Sequence, residues 1–165
     1  MCMGNGRFCA LMALIASSCV IYETNDAKKL MVEASSLQED AADGITKADK
    51  TKSDAALTTD EEKRQVDGKQ CEKQYATVIE NLEEAAELIV KASRLKLRKE
   101  YARYVEARLK HNEKAIELTG LHRKMCTLLS KPKFDGKAAD ALVAQARAAK
   151  TEAEELDEEA VELGK

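Results

Sequence analysis

Seven positions in this chain are spaced 4, 3, 4, 3, 4, 3: Cys71, Tyr75, Val78, Leu82, Ala85, Ile89 and Ala92. A 3-4 alternation places every member on one stripe of an α-helix and on neither face of a strand. No Gly or Pro falls between Lys69 and Thr119, so no residue there breaks a helix by its own backbone preference. Such a stripe must be buried against other helices. The rest of the chain supplies them.

Ala27, Leu30, Ala34, Leu37 and Ala41 repeat the spacing, followed by Gly44, Ala48, Thr51 and Ala55. Thr24, Asn25 or Asp26 can cap the start of this helix. Gly44 is expected to interrupt or kink it, and the polar run 46–56 is expected to fray. Thr58 and Thr59, each with a Glu three residues on, carry the spacing of a capping box. A third stripe runs through Tyr101, Val105, Leu109, Asn112 and Ile116, then Leu118, Leu121, Met125 and Leu128. Its phase differs from that of the preceding stripe, so Leu95–Tyr101 holds either a stutter in one helix or a turn between two. Lys131-Pro132-Lys133-Phe134-Asp135-Gly136 is the clearest break, with Asp135 placed as an N-cap. The last stripe is Ala139, Leu142, Ala146, Ala149, Ala153, Leu156, Ala160 and Leu163.

The expected fold is therefore all-α: an up-down antiparallel bundle of three or four long helices with coiled-coil-like packing. The helices are expected at about 26–57, 60–95, 98–130 and 136–163, in one domain over 19–165. Composition agrees, with Ala 26 times, Leu 17 times, and only 7 Gly and 1 Pro in 165 residues. The competing architecture makes 60–130 one rod of roughly 105 Å. Two cysteines separate the two. In the bundle Cys71 and Cys126 lie toward the same end and can form a disulfide. On a rod they are roughly 80 Å apart and cannot.

Residues 8–22 carry no charge, and Arg7 is the one charge before them. A short basic region, an apolar run of about 15 residues and small residues at Ala16 and Ser18 predict a signal peptide over 1–18, cleaved near Cys19. The run is shorter than the roughly 20 residues of a membrane span. Ile15-Ala16-Ser17-Ser18-Cys19 also resembles the lipobox of bacterial lipoproteins, which implies lipid attachment at Cys19 as the alternative to plain cleavage. The expected location is secreted or cell-surface, where a Cys71–Cys126 disulfide would persist.

Charge is distributed unevenly. Residues 91–114 hold nine basic residues, and residues 152–162 hold seven acidic ones and no basic one. Folding back about Pro132 sets the acidic stretch beside roughly 104–114. Within the basic run, Arg94, Lys96, Arg98, Lys99, Tyr101, Arg103, Tyr104 and Arg108 form a candidate patch for an anion or a partner. The net charge of −3 does not point to nucleic acid.

Catalytic signals are lacking. His122 and Cys126 stand four apart, but no second His/Cys pair completes a metal site, so no metal and no cofactor are expected. Arg108 and Thr119 occupy the positions where a di-iron bundle needs Glu. Glu83, Glu84 and Glu87 fall beside the stripe and read as a solvated face. An enzyme is not expected.

In composition and periodicity the chain resembles the helical-bundle surface proteins of parasites and the helical lipoproteins of bacteria. The signal, the single possible disulfide, the missing chemistry and the highly charged exterior predict a protein that acts by presenting a surface, as a coat or antigen or as a module binding a host or partner protein. A protein partner or self-association is the expected mode. The alternatives are an amphipathic bundle that opens onto an anionic membrane and a self-associating coiled-coil rod or adaptor.

Overall fold

The computed structural model describes residues 22–165. The expected signal peptide and Cys19 lie outside the described residues. Four helices follow in order: α1 (Thr24–Leu57), α2 (Glu61–Ser93), α3 (Lys99–Leu129) and α4 (Gly136–Leu163). They form an up-down bundle with antiparallel neighbours. α1 packs along α2, α2 along α3 and α3 along α4, while α1 meets α3 at a few positions. Among the described residues, α4 has close backbone neighbours in α3 alone.

Every member of the α2 stripe is buried, as is Gly68, which lies on the same face. A Cβ at Gly68 would sit 2.6 Å from the backbone nitrogen of Ser130, so glycine permits the close approach of α2 to the end of α3. One turn on, Cys71 and Cys126 form a disulfide with their Cα atoms 5.8 Å apart. The rod is thereby excluded, and the chain turns between α2 and α3. Arg64 seals the same end: its guanidinium donates to the carbonyl oxygens of Leu129, Lys131 and Pro132, three acceptors freed where α3 stops.

α1 departs from expectation in three ways. It is unbroken through Gly44, where a Cβ would come 2.7 Å from the Val78 methyl Cγ2, so this glycine makes room for α2 and introduces no break. The stretch 46–56 is helical throughout, because Ala48 and Ala55 extend a seven-residue repeat of buried alanines at 27, 34, 41, 48 and 55. Its start has no side-chain cap. Glu23 instead pairs with the backbone of the α2–α3 turn: its N–H donates to the Lys96 carbonyl, and its side-chain carboxylate accepts from the Lys96 N–H.

The other caps are mixed. Asp60, and neither Thr58 nor Thr59, caps α2 by accepting from the Lys63 N–H, while Thr58 accepts from the Asp60 N–H. Asp135 caps α4 as its position predicts. α3 buries a broader and different set than its stripe foretold: Val105, Asn112 and Leu121 are buried, while Tyr101, Leu109, Ile116, Leu118, Met125 and Leu128 are half-buried. Ala107, Thr119, Cys126 and Leu129 are buried too, because α3 is flanked by α2 on one side and α4 on the other. In α4 the buried residues are all alanine: Ala139, Ala146, Ala149, Ala153 and Ala160.

Candidate functional site

Because α4 leans on α3 alone, a groove runs between α1 and α4, floored by α3. Its two ends differ in charge. At the α2–α3 turn it widens into a cavity of about 790 Å³. Met31 and Val32 of α1, Tyr101 and Tyr104 of α3, and Leu163 of α4 line it, with Lys28, Arg98 and Lys165 as its cations and Glu100 as its acid. The two tyrosine rings lie 5.6 Å apart. Burial, with Tyr104 beside it, pushes the Tyr101 hydroxyl above its ordinary pKa. The middle of the groove, about 800 Å³, is acidic: Asp49 on one wall faces Glu154, Asp157 and Glu158 on the other.

The structure divides the basic patch read from the sequence. Arg98, Tyr101 and Tyr104 come together at this cavity, joined by Lys28, which the sequence did not single out. Arg94, Lys96, Lys99 and Arg103 are exposed around the turn and outside the cavity. Arg108 is removed from the patch. Its guanidinium donates to Asp157 of α4 at 2.9 Å and to the Gln38 side-chain oxygen of α1 at 2.6 Å. Folding back about Pro132 brings the acidic stretch where the charge pattern placed it, with Lys114 also meeting Glu152 at 2.7 Å. Hydrogen bonds from Lys114 to Glu117 and then Glu152 push the lysine up to about 12. Glu83, Glu84 and Glu87 are exposed on the outer face of α2.

Two buried polar clusters stand behind the groove. In the first, Asn112 is fully buried. Its amide donates to the Leu82 carbonyl at 2.7 Å and accepts from Gln38 at 2.8 Å. Gln38 passes the chain to Arg108, and Arg108 to Asp157. One hydrogen-bonded line thus crosses all four helices. His111 lies alongside, its Nδ1 buried without a hydrogen-bond partner. Burial first, then the charge of Arg108, holds its pKa below the ordinary value against the opposing pull of Asp157.

The second cluster sits one turn from the disulfide. The Lys52 ammonium donates to Asp49, to the Tyr75 hydroxyl at 3.0 Å and to His122 Nδ1 at 2.9 Å. Tyr75 also donates to Asp49, and its ring stacks on His122 at 5.7 Å. An ammonium has only donors, so Nδ1 of His122 accepts and the ring proton resides on Nε2. Burial raises the Asp49 carboxyl, but hydrogen bonds from Lys52 and Tyr75 and the charges of Lys52 and His122 outweigh it and hold the pKa below the ordinary carboxylate value. Burial, then the hydrogen bond to Asp49 and its charge, pushes the Tyr75 hydroxyl strongly up. For His122, burial and the Lys52 charge lower the pKa against the pull of Asp49.

Sequence reasoning placed Tyr75 in the α2 stripe and Asn112 in the α3 stripe, but it missed both networks. Their partners, Gln38, Asp49 and Lys52, lie off the α1 stripe, and no spacing rule marks them. Comparison with known proteins adds no analogy to this geometry: no family model, no curated protein and no solved structure matches the chain.

Proposed function

We propose that this chain is an exported, non-enzymatic bundle that acts by presenting a surface to a protein partner, and that the α1–α4 groove is that surface. The observation that carries the reading is the groove itself. A fully closed four-helix bundle would bury the α1–α4 seam. Here the seam is open, with Tyr101, Tyr104, Ala115 and Leu118 on its floor, Lys28 and Arg98 beside Glu100 at one end, and Glu154 and Glu158 beside Lys150 in the middle. A partner helix with acidic residues toward one end and basic residues at its centre complements it, laying its apolar stripe on Met31, Tyr104 and Leu118. Export is supported by the Cys71–Cys126 bond, which is stable in an oxidising compartment. Among the described residues, no helix is long and apolar enough to cross a membrane.

A photo-crosslinking residue tests the reading. Placed at Glu158 in the groove of the full chain in its native host, it is expected to give one discrete protein adduct. Placed at Glu83, on the opposite face, it is expected to give none. Equal adducts from both positions, or none from Glu158, would overturn the reading. Intact mass from the same cells, with and without reductant, tests export: a chain beginning near Cys19 and lighter by two hydrogens before reduction is expected.

One observation favours a second reading. The fully buried residues of α4 are all alanine, with Leu142, Leu156 and Leu163 only half-buried, so this helix has little apolar area holding it to the bundle and can exchange α3 for an anionic membrane. Flotation with anionic vesicles decides, since this reading requires the protein to rise with them.

A further inference from the structure

Beneath Lys52, between α3 and α4, lies a second and smaller cavity of about 200 Å³. We propose that it is a binding site for a free single-chain carboxylate, a medium-chain fatty acid of about eight carbons. The proposal does not rest on the partner-binding reading, but the two sites share Leu118, His122 and Lys150, so its test uses the protein without a partner.

Shape and lining argue for the chain. Leu118, Leu121 and Met125 of α3 face Leu142, Val143 and Ala146 of α4, and the walls are almost wholly apolar. A 150 Å³ apolar cavity holds benzene, so this one has room for about eight carbons. Methionine adapts its shape to a flexible occupant. Val143 stands at the lip, 41 % exposed, although it is a large apolar residue.

Charge argues for the head group. The ion pairs Arg108–Asp157 and Lys114–Glu152 fix the antiparallel register of α3 and α4. In that register Leu142 lies toward Met125, and Arg147 and Lys150 lie toward Leu118. The cavity is thus apolar at one end and has Arg147 and Lys150 at the other, where it opens on the groove beside Glu154. Arg147 has no ionic partner among the described residues, and Lys150 has only an exposed pair with Glu154 at 3.6 Å. Lys52 lines the site, but its three donors are already spent on Asp49, Tyr75 and His122, so it contributes its stem and not its head. What Lys52 does instead is fix His122. With Nδ1 accepting from Lys52, the neutral ring presents its N–H at Nε2, which makes no hydrogen bond within the described chain. His122, Leu118 and Lys150 line both this cavity and the central groove, so they mark its mouth. A carboxylate there accepts a forked pair from Arg147 and one bond from His122, and its alkyl chain runs down toward Met125.

NMR titration of the oxidised protein with octanoate is the test. One equivalent is expected to saturate shifts of the Met125 methyl and the His122 ring. Butanoate and octylammonium are expected to bind at least about tenfold more weakly, one lacking the chain and the other carrying the wrong charge. Arg147→Gln, an exposed change that leaves the packing alone, is expected to weaken octanoate about tenfold. Ala146→Met, which fills the cavity from its wall, is expected to abolish binding while the helical circular dichroism persists. The proposal is overturned by failure of millimolar octanoate to saturate, by octylammonium binding equally well, or by indifference to Arg147→Gln. It is equally overturned if the same shifts arise only with phospholipid vesicles, which would make the cavity a membrane contact.

Discussion

At the scale of single residues, the most constrained group is His122. Its ring is stacked on Tyr75 and its Nδ1 takes a proton donor that cannot become an acceptor. Protonating Nδ1 destroys that bond and sets two cations against each other. The linkage follows directly. In the unfolded chain both histidines titrate near 6.5, and in the folded chain both are held lower. Between those values the unfolded state binds more protons, so their contribution is whole above 6.5 and is lost as pH falls through the window. Asp49 behaves differently: its contribution is present above 3.8 and disappears only as pH falls through its lowered folded value. We expect the melting temperature to fall between about pH 7 and about pH 5. His122→Asn retains an acceptor near the Nδ1 position but cannot titrate, and is expected to flatten the slope, leaving the share owed to His111. An unchanged slope in thermal melts would show that the Lys52 bond is not what resists protonation.

At the scale of elements, the four helices are unequally held. α2 is pinned by its stripe, by the disulfide and by the Arg64 clamp onto the end of α3. α4 fully buries only alanines and half-buries Leu142, Leu156 and Leu163, so it removes little apolar surface at about 25 cal/mol per Å². Its ion pairs with α3 are partly exposed and are worth about 0–1 kcal/mol each. Native-state hydrogen exchange is expected to show α4 amides opening at least about tenfold more readily than those of α2. Equal protection would mean that α4 unfolds only with the whole. The sequence was legible here to different depths. The α2 stripe and the Asp135 cap could be read outright, because each depends on local spacing. The polar half of α1 could not, since its helix is held by Ala48 and Ala55 against α2 rather than by its own propensities. Nor could the turn at Arg94–Arg98 be settled. It contains no Gly or Pro, and the phase shift alone leaves a stutter and a turn equally open.

At the scale of the whole molecule, the disulfide closes a loop of 55 residues. In the chain-entropy picture, closing a loop of that size stabilises the fold by about 4 kcal/mol. We expect the Cys71→Ser/Cys126→Ser double variant to remain helical and to unfold at a markedly lower urea concentration, with the difference read from the midpoint at constant slope. A variant as stable as the parent would show that packing alone sets the bundle. The open seam also belongs to this scale. Sequence periodicity predicted four helices of similar length but could not say that α1 and α4 fail to meet. That depends on α3 being buried on two sides, a property its single stripe conceals.

The hydrogen-bonded line from Leu82 through Asn112, Gln38 and Arg108 to Asp157 has a consequence for inheritance. The four side chains bond one to the next, and each helix contributes at least one group. Loss of Gln38 strands the buried Asn112 and one arm of Arg108, and a slipped helix breaks the whole line. Among natural variants of this chain, positions 38, 108, 112 and 157 are therefore expected to change as a set or to remain as they are, whatever freedom the outer faces enjoy.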